Sequence, residues 1–147
     1  MRENLALGNV SELIKEFAKD SKLLATVFKR NIICELDLPK EIMIPLNKQL
    51  ARRSFENLFS NALRYTKDDD TIKIISYIDN KENAVKLKIE DTGIGIDKKD
   101  LNNIFDLFYR GTNSRREEGM GIGLAVVKNI VNTLGWNIAI ESEKGKG

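Results

Sequence analysis

An α/β two-layer sandwich is the fold class this sequence predicts, with a mixed sheet of about five strands and three main helices on one face. Three observations carry it. Residues 9–30 and 47–65 space their apolar side chains at helical period. Short runs around them alternate apolar and charged residues with period two. A third helical stretch, residues 121–134, closes on Gly135. At 147 residues the chain fits one domain, long enough to bury roughly two-thirds of the surface its unfolded form exposes.

In chain order, Asn9 and Glu12 have the spacing of a capping box. Leu13, Ile14, Phe17, Leu24, Val27 and Phe28 then lie on one stripe of a helix expected to reach residue 30. Ile32 to Leu36 and Ile42 to Ile44 read as short strands, punctuated by Pro39 and Pro45. Asn47 caps a second helix running to about Tyr65, with Leu50, Ser54, Phe55, Leu58 and Ala62 facing inward. Lys67 to Asp70 is a polar turn. Ile72, Ile74 and Ile78 alternate with Lys73 and Tyr77 in the next strand, and Asp79 to Asn83 form a hairpin loop. Val85, Leu87 and Ile89 face one way and Lys86, Lys88 and Glu90 the other, so period two puts Asp91 on the apolar side. Asp97 to Leu107 reads as a short helix, residues 111–118 as a polar loop, and Trp136, Ile138 and Ile140 as a last strand.

Composition narrows the function classes. Lys+Arg is 24 and Asp+Glu 22, a net charge of +2, with no basic stripe of the kind that binds a phosphate backbone. The chain has no histidine, which removes histidine metal sites, serine-protease-type triads and self-contained histidine acid–base chemistry. A single cysteine, Cys34, forms no internal disulfide and fits a reducing compartment. No apolar run approaches the roughly 20 residues of a membrane span.

Four groups of residues carry chemistry. Asn57 and Asn61 are one turn apart on a helix face that Arg64 and Tyr65 continue. Their amide oxygens suit a hard cation such as Mg²⁺, although a solvated polar face is an equally simple reading. Asp91-Thr92-Gly93-Ile94-Gly95-Ile96 follows the alternating strand. Its glycines permit close backbone approach, and an inward Asp is costly unless something donates to it. An Asx-turn is the bland reading of the same run. Gly119-Met120-Gly121-Ile122-Gly123-Leu124-Ala125 opens a helix, where amide groups form an anion site and glycines let phosphate come close. The strand that a dinucleotide fingerprint needs before its glycines is absent, and so is a P-loop. Finally, Phe105 and Phe108 read mainly as packing, while Arg110 stands at a loop hinge where it can reach a phosphate.

Taken in order, N-x-x-x-N-A, D-x-G-x-G, F-x-x-F-x-R and G-x-G-x-G-L-A, the chain resembles the catalytic and ATP-binding domain of two-component sensor histidine kinases. These belong to the superfamily shared with the Hsp90, gyrase and MutL ATPases. The resemblance covers about Val10 to Gly147 and implies a Bergerat-type sandwich that binds Mg-ATP. It makes Asn61 the Mg²⁺ ligand of the N box (57–65) with Asn57 its partner. Arg64 and Tyr65 become contacts to phosphate and nucleoside, and Asp91 the acceptor of the adenine amino group. It assigns Gly93 and Gly95 to a first glycine box (91–96) and Phe105, Phe108 and Arg110 to the F box (105–110). Gly119, Gly121, Gly123 and Leu124 fall in a second glycine box (119–125), and residues from about 97 to 119 form the ATP lid.

Three positions depart from the family pattern: Met120 stands where Ser or Thr is frequent, Trp136 where a second glycine is common, and Asn47 where Asp is usual. Related ATPases carry at the Asn57 position a Glu that activates water. An amide has no useful pKa for that task, and Glu56 is turned about 100° from that face. The expected function is therefore transfer of the γ-phosphate of ATP to a histidine on a separate dimerisation domain, which this chain lacks. Asn57, Asn61 and Arg110 would be catalytic. An anti-sigma-type serine kinase and a non-catalytic nucleotide-binding regulatory module are the alternatives. The implied partners are the phosphoacceptor domain of the same parent kinase and a downstream response regulator, with no nucleic acid and no membrane contact by this domain. A monomeric, cytoplasmic domain is expected, in a parent that can be membrane-anchored.

Overall fold

The computed structural model describes residues 5–96, 98–103 and 123–147. Its elements are β1 (Ala6–Asn9), α1 (Val10–Val27), β2 (Asn31–Asp37), β3 (Met43–Leu46), α2 (Lys48–Arg64), β4 (Thr71–Asp79), β5 (Ala84–Asp91), a 3₁₀ helix (Lys98–Asn103) and α3 (Gly123–Leu134). The α/β sandwich is present, with its five strands divided between two sheets. β1 pairs antiparallel with β3, and a three-stranded sheet runs in the order β2-β4-β5. Within the latter, β2 is parallel to β4 and β4 antiparallel to β5. The crossover that a parallel pair requires contains β3 and α2.

Both anticipated helix starts are capped by asparagine. The Asn9 side chain accepts from the Glu12 N–H at 3.3 Å and from the Ile42 N–H at 3.0 Å, and donates to the Lys40 carbonyl at 3.1 Å. The cap of α1 thereby also fixes the approach to β3. Asn47 accepts from the Leu50 N–H at 3.1 Å. Between the helices, Phe17 of α1 meets Phe55 and Phe59 of α2 at ring-centroid distances of 5.5 and 6.2 Å, and Phe55 stacks on Trp136 at 6.3 Å. Ile72, Ile74, Ile130 and Leu134 complete the core. On the outside of the helix pair, Arg52 bridges Glu16, Asp20 and Glu56.

Several local expectations are corrected. α1 ends at Val27, with Lys29 in the left-handed region (φ 60°). Leu24, Val27 and Phe28 are exposed rather than inward, and in the last two turns the buried positions are Ser21 and Ala25 instead. Phe59, one residue from the expected Leu58, is the buried ring. In β4 the inward alternation ends on Ser76, whose hydroxyl donates to the Lys86 carbonyl at 2.6 Å, while Ile78 reaches the exposed end of the strand. The fifth strand is β1, not residues 136–140. That segment keeps alternating burial without joining a ladder among the described residues. Side-chain alternation needs only an extended chain against a core, whereas a strand also needs a neighbour for its N–H and C=O groups. Residues 98–103 form a 3₁₀ helix where a longer helix from Asp97 was expected; the remainder of that expectation lies outside the described residues.

Phe59→Ala should cost about 3–5 kcal/mol of unfolding free energy, because it empties a buried aromatic site. Val27→Ser, at a helical position that is 70% exposed, should stay within about 0.5 kcal/mol of the parent protein. Urea denaturation of the two variants distinguishes the observed core from the one the apolar stripe suggests.

Candidate nucleotide-binding site

The site is built where the end of α2 meets the exit of β5. Asn57 and Asn61 lie one turn apart on α2, both half-buried, and neither side chain hydrogen-bonds to another described residue. Arg64 is the last residue of the helix and Tyr65 its C-cap. The Tyr65 N–H closes the final turn on the Asn61 carbonyl at 3.2 Å, and the Tyr65 carbonyl accepts from the Ile94 N–H at 3.2 Å. One backbone unit therefore joins the asparagine-bearing helix to the first glycine loop.

The loop fits because Gly93 has no side chain. A Cβ there would lie far inside contact distance of the Tyr65 carbonyl and 2.8 Å from the Asp91 Oδ1. Gly95 has φ +73° and would push a Cβ into the Glu143 carbonyl. On its far side the loop is held by the last turn of the described chain. The Gly145 N–H donates to the Ile94 carbonyl at 2.6 Å. The Ile96 N–H donates to Ser142 Oγ at 2.8 Å. At the strand end, Thr92 and Thr71 exchange hydrogen bonds: Thr92 N–H to the Thr71 carbonyl at 3.1 Å, and Thr71 N–H to Thr92 Oγ1 at 3.0 Å.

Asp91 closes β5 and is half-buried, as strand period two requires. Its Oδ1 accepts from the Gly93 N–H at 2.8 Å; Oδ2 has no partner among the described residues. Burial pushes the carboxyl above its ordinary pKa. The Gly93 N–H opposes that rise and the charge of Asp70 adds to it.

Gly123 and Leu124 open α3, which packs on α2. A Cβ at Gly123 would meet nothing within 4 Å among the described residues, so packing does not demand that glycine. Arg110, Phe105, Phe108, Gly119 and Gly121 lie outside the described residues, as does the lid apart from residues 98–103. The structure therefore joins Tyr65, at the end of α2, to the loop of Asp91, Gly93 and Gly95 at the exit of β5, with Arg64, Asn61 and Asn57 preceding Tyr65 on the same helix. Glu56 is exposed and paired with Arg52 at 3.2 Å, away from this face. Thr66, in the turn after Tyr65, accepts at 2.7 Å from Arg30, which follows α1. Nothing in their sequence spacing marks them, since an arginine beyond a helix end is ordinary.

The family of histidine kinase-, DNA gyrase B-, and HSP90-like ATPases matches residues 47–147. The chain belongs to this family. It is 34% identical over 140 residues to the phosphate regulon sensor protein PhoR of Pseudomonas aeruginosa, covering 94% of this chain and 31% of that protein. It is 31% identical over 110 residues to the sensor histidine kinase WalK of Bacillus subtilis, covering 74% of this chain and 18% of that protein. The chain thus spans less than a third of the length of these curated relatives. Among solved structures, the mycobacterial sensor histidine kinase MprB superimposes with a TM-score of 0.73 at 20% identity, covering 88% of this chain and 82% of that one. Full-length ShkA in complex with AMPPNP superimposes with a TM-score of 0.78 at 21% identity, covering 99% of this chain and 30% of that one. These likenesses establish the sandwich of histidine kinase catalytic domains. Among the described residues no helix is long and apolar enough to cross a membrane.

The raised pKa of Asp91 has a defined consequence for stability. A carboxyl whose folded pKa lies above its unfolded value adds no penalty below the unfolded pKa, about 3.9. The penalty develops as pH rises and is complete above the folded value. Asp91→Asn keeps the oxygen that accepts from Gly93 and removes the charge. The variant should melt at or above the parent temperature at neutral pH, with the difference vanishing below about pH 3.9. Thermal melts across this range check the sign.

Proposed function

We propose that this domain binds Mg-ATP and transfers the γ-phosphate to a histidine on a separate dimerisation domain of a longer two-component kinase, from which a response regulator is then served. One observation carries the reading: a half-buried carboxylate, Asp91, with one oxygen committed to Gly93 and the other without a donor among the described residues. A buried acceptor calls for a donor, and the amino group of adenine supplies one. The carbonyl oxygen at the same place in guanine would oppose acceptor to acceptor. The naming of one relative as a sensor histidine kinase and of another as a sensor protein supports the same assignment.

Phosphate chemistry would be handled at the other end of the cleft. Asn57, Asn61 and Arg64 offer amide oxygens and a guanidinium on one helix face, and Arg110 and the glycines of residues 119–123 are assigned there by the family pattern. Among the described residues no cluster of three acidic, cysteine or histidine side chains could hold a metal. A magnesium ion carried on the phosphates and completed by the Asn61 amide oxygen and waters fits such a donor set. When bound, it neutralises phosphate charge. The chain's own contribution is positioning and charge stabilisation, as phosphoryl transfer requires. Neither asparagine can deprotonate water, and Glu56 is paired elsewhere, which favours transfer over hydrolysis.

The test follows radiolabelled γ-phosphate with and without a histidine-bearing helical hairpin. Label should reach the hairpin, with little free phosphate released by the domain alone. Brisk release would make the protein a hydrolase, and binding without transfer would make it a regulatory module. Calorimetry should find ATP bound ahead of GTP by more than about 1 kcal/mol, since an unpaired buried acceptor costs about 1–3. Asn61→Ala should lose Mg-ATP affinity or transfer while its melting temperature is kept. Wild-type activity in that variant would remove Asn61 from the site.

A further inference from the structure

Arg30 lies three residues beyond the end of α1, and its side chain is only 11% exposed. It spends its guanidinium on the turn that follows α2. Nε donates to Thr66 Oγ1 at 2.7 Å, and Nη2 to the carbonyls of Leu63 at 3.0 Å and Thr66 at 2.8 Å. Nη1 reaches the Phe28 carbonyl and Asp68 Oδ1. The one carboxylate in the set, Asp68, is 66% exposed. The positive charge is therefore matched mainly by carbonyl oxygens, including one in the last turn of α2, the negative end of that helix. Thr66 Oγ1 in turn donates to the Ala62 carbonyl at 2.7 Å. Neighbouring backbone bonds close the same seam, Asp69 N–H to the Lys29 carbonyl at 2.8 Å and Asn31 N–H to the Asp70 carbonyl at 2.9 Å.

The carbonyls that Arg30 holds lie on either side of Tyr65 in sequence, and Tyr65 is the residue whose own carbonyl holds the Ile94 N–H. We infer that Arg30 is a positioning residue for the nucleotide site. By fixing Leu63 and Thr66 it fixes the Tyr65 carbonyl, which fixes the Gly93–Ile94 loop, whose Gly93 N–H orients the Asp91 carboxylate. The inference rests on the proposed nucleotide site for its functional meaning; the mechanical link is a property of the empty protein. Only arginine serves, because a planar fork with five donors reaches carbonyls and a hydroxyl in different directions at once, whereas lysine offers a compact charge on a flexible stem.

The experiment compares Arg30→Lys and Thr66→Val with Ile74→Val, a control in the β4 core. Ile74 is fully buried, and its shortening destabilises the fold without touching the seam. In the empty protein, hydrogen exchange at the Ile94 amide should quicken by roughly tenfold in Arg30→Lys, the loss expected when one hydrogen bond is loosened. Amides in the middle of β4 and β5 should keep their protection. ATP should bind several-fold more weakly, with a smaller preference over GTP, and Ile74→Val should bind as the parent does. Adding Thr66→Val to Arg30→Lys should cost less than the sum of the two, because they act through one link. Unchanged exchange at Ile94 in Arg30→Lys, or a loss of affinity equal to that of Ile74→Val, overturns the positioning role. If the parent protein binds no ATP, the proposed function fails, and the exchange measurement still decides the role of Arg30. Should Arg30→Lys fail to fold, Thr66→Val, which replaces the hydroxyl with a methyl group of similar size, carries the same exchange test.

Discussion

The Ile94 N–H to Tyr65 carbonyl hydrogen bond, 3.2 Å long, is the point on which the candidate site depends. It joins two segments that the fold brings together from opposite layers: the last turn of α2, with its asparagines, and the exit of β5, with Asp91. A helix C-terminus leaves carbonyls without intrahelical partners. Here one of them is satisfied by the glycine loop itself, so the end of the helix and the wall of the site are a single structure. Glycine at position 93 follows from the same constraint, because any side chain there would collide with the carbonyl that makes the bond.

Around that junction the remaining structure acts as a frame. The rings of Phe17, Phe55, Phe59 and Trp136 hold α1, α2 and the segment after α3 together. Dispersion and area burial fix their separation but are poor at fixing the rotation of a helix about its axis. Polar contacts do that: the Asn9 and Asn47 caps, Arg52 across the outer face, and the seam between residues 28–31 and 66–71. These connections set where the polar face of α2 points.

Asp91 shows the tension between stability and binding. A carboxylate held half out of water raises the energy of the empty fold, and the raised pKa expresses that cost. The lack of a second donor among the described residues gives a ligand something to satisfy. Strain of this kind concentrates where a protein binds or reacts. The chain matches relatives about three to four times its length.

The sequence by itself determined the fold class, both helix caps, the inward placement of Asp91 and the helix face shared by Asn57 and Asn61. Each rests on a local rule: a side-chain oxygen three residues before an N–H, a period of two, a period of 3.6. What only the tertiary structure decided involves partners distant in the chain. The apolar stripe of α1 extends to Phe28, but packing buries the small residues Ser21 and Ala25 at that end and leaves Leu24, Val27 and Phe28 exposed. Residues 136–140 alternate as a strand would, yet β1 supplies the fifth strand, because a ladder needs a neighbour that no periodicity specifies. Arg30 lies 36 residues from Thr66. No local pattern could join them, since the bond exists only once α1, α2 and β4 have packed and the two turns meet.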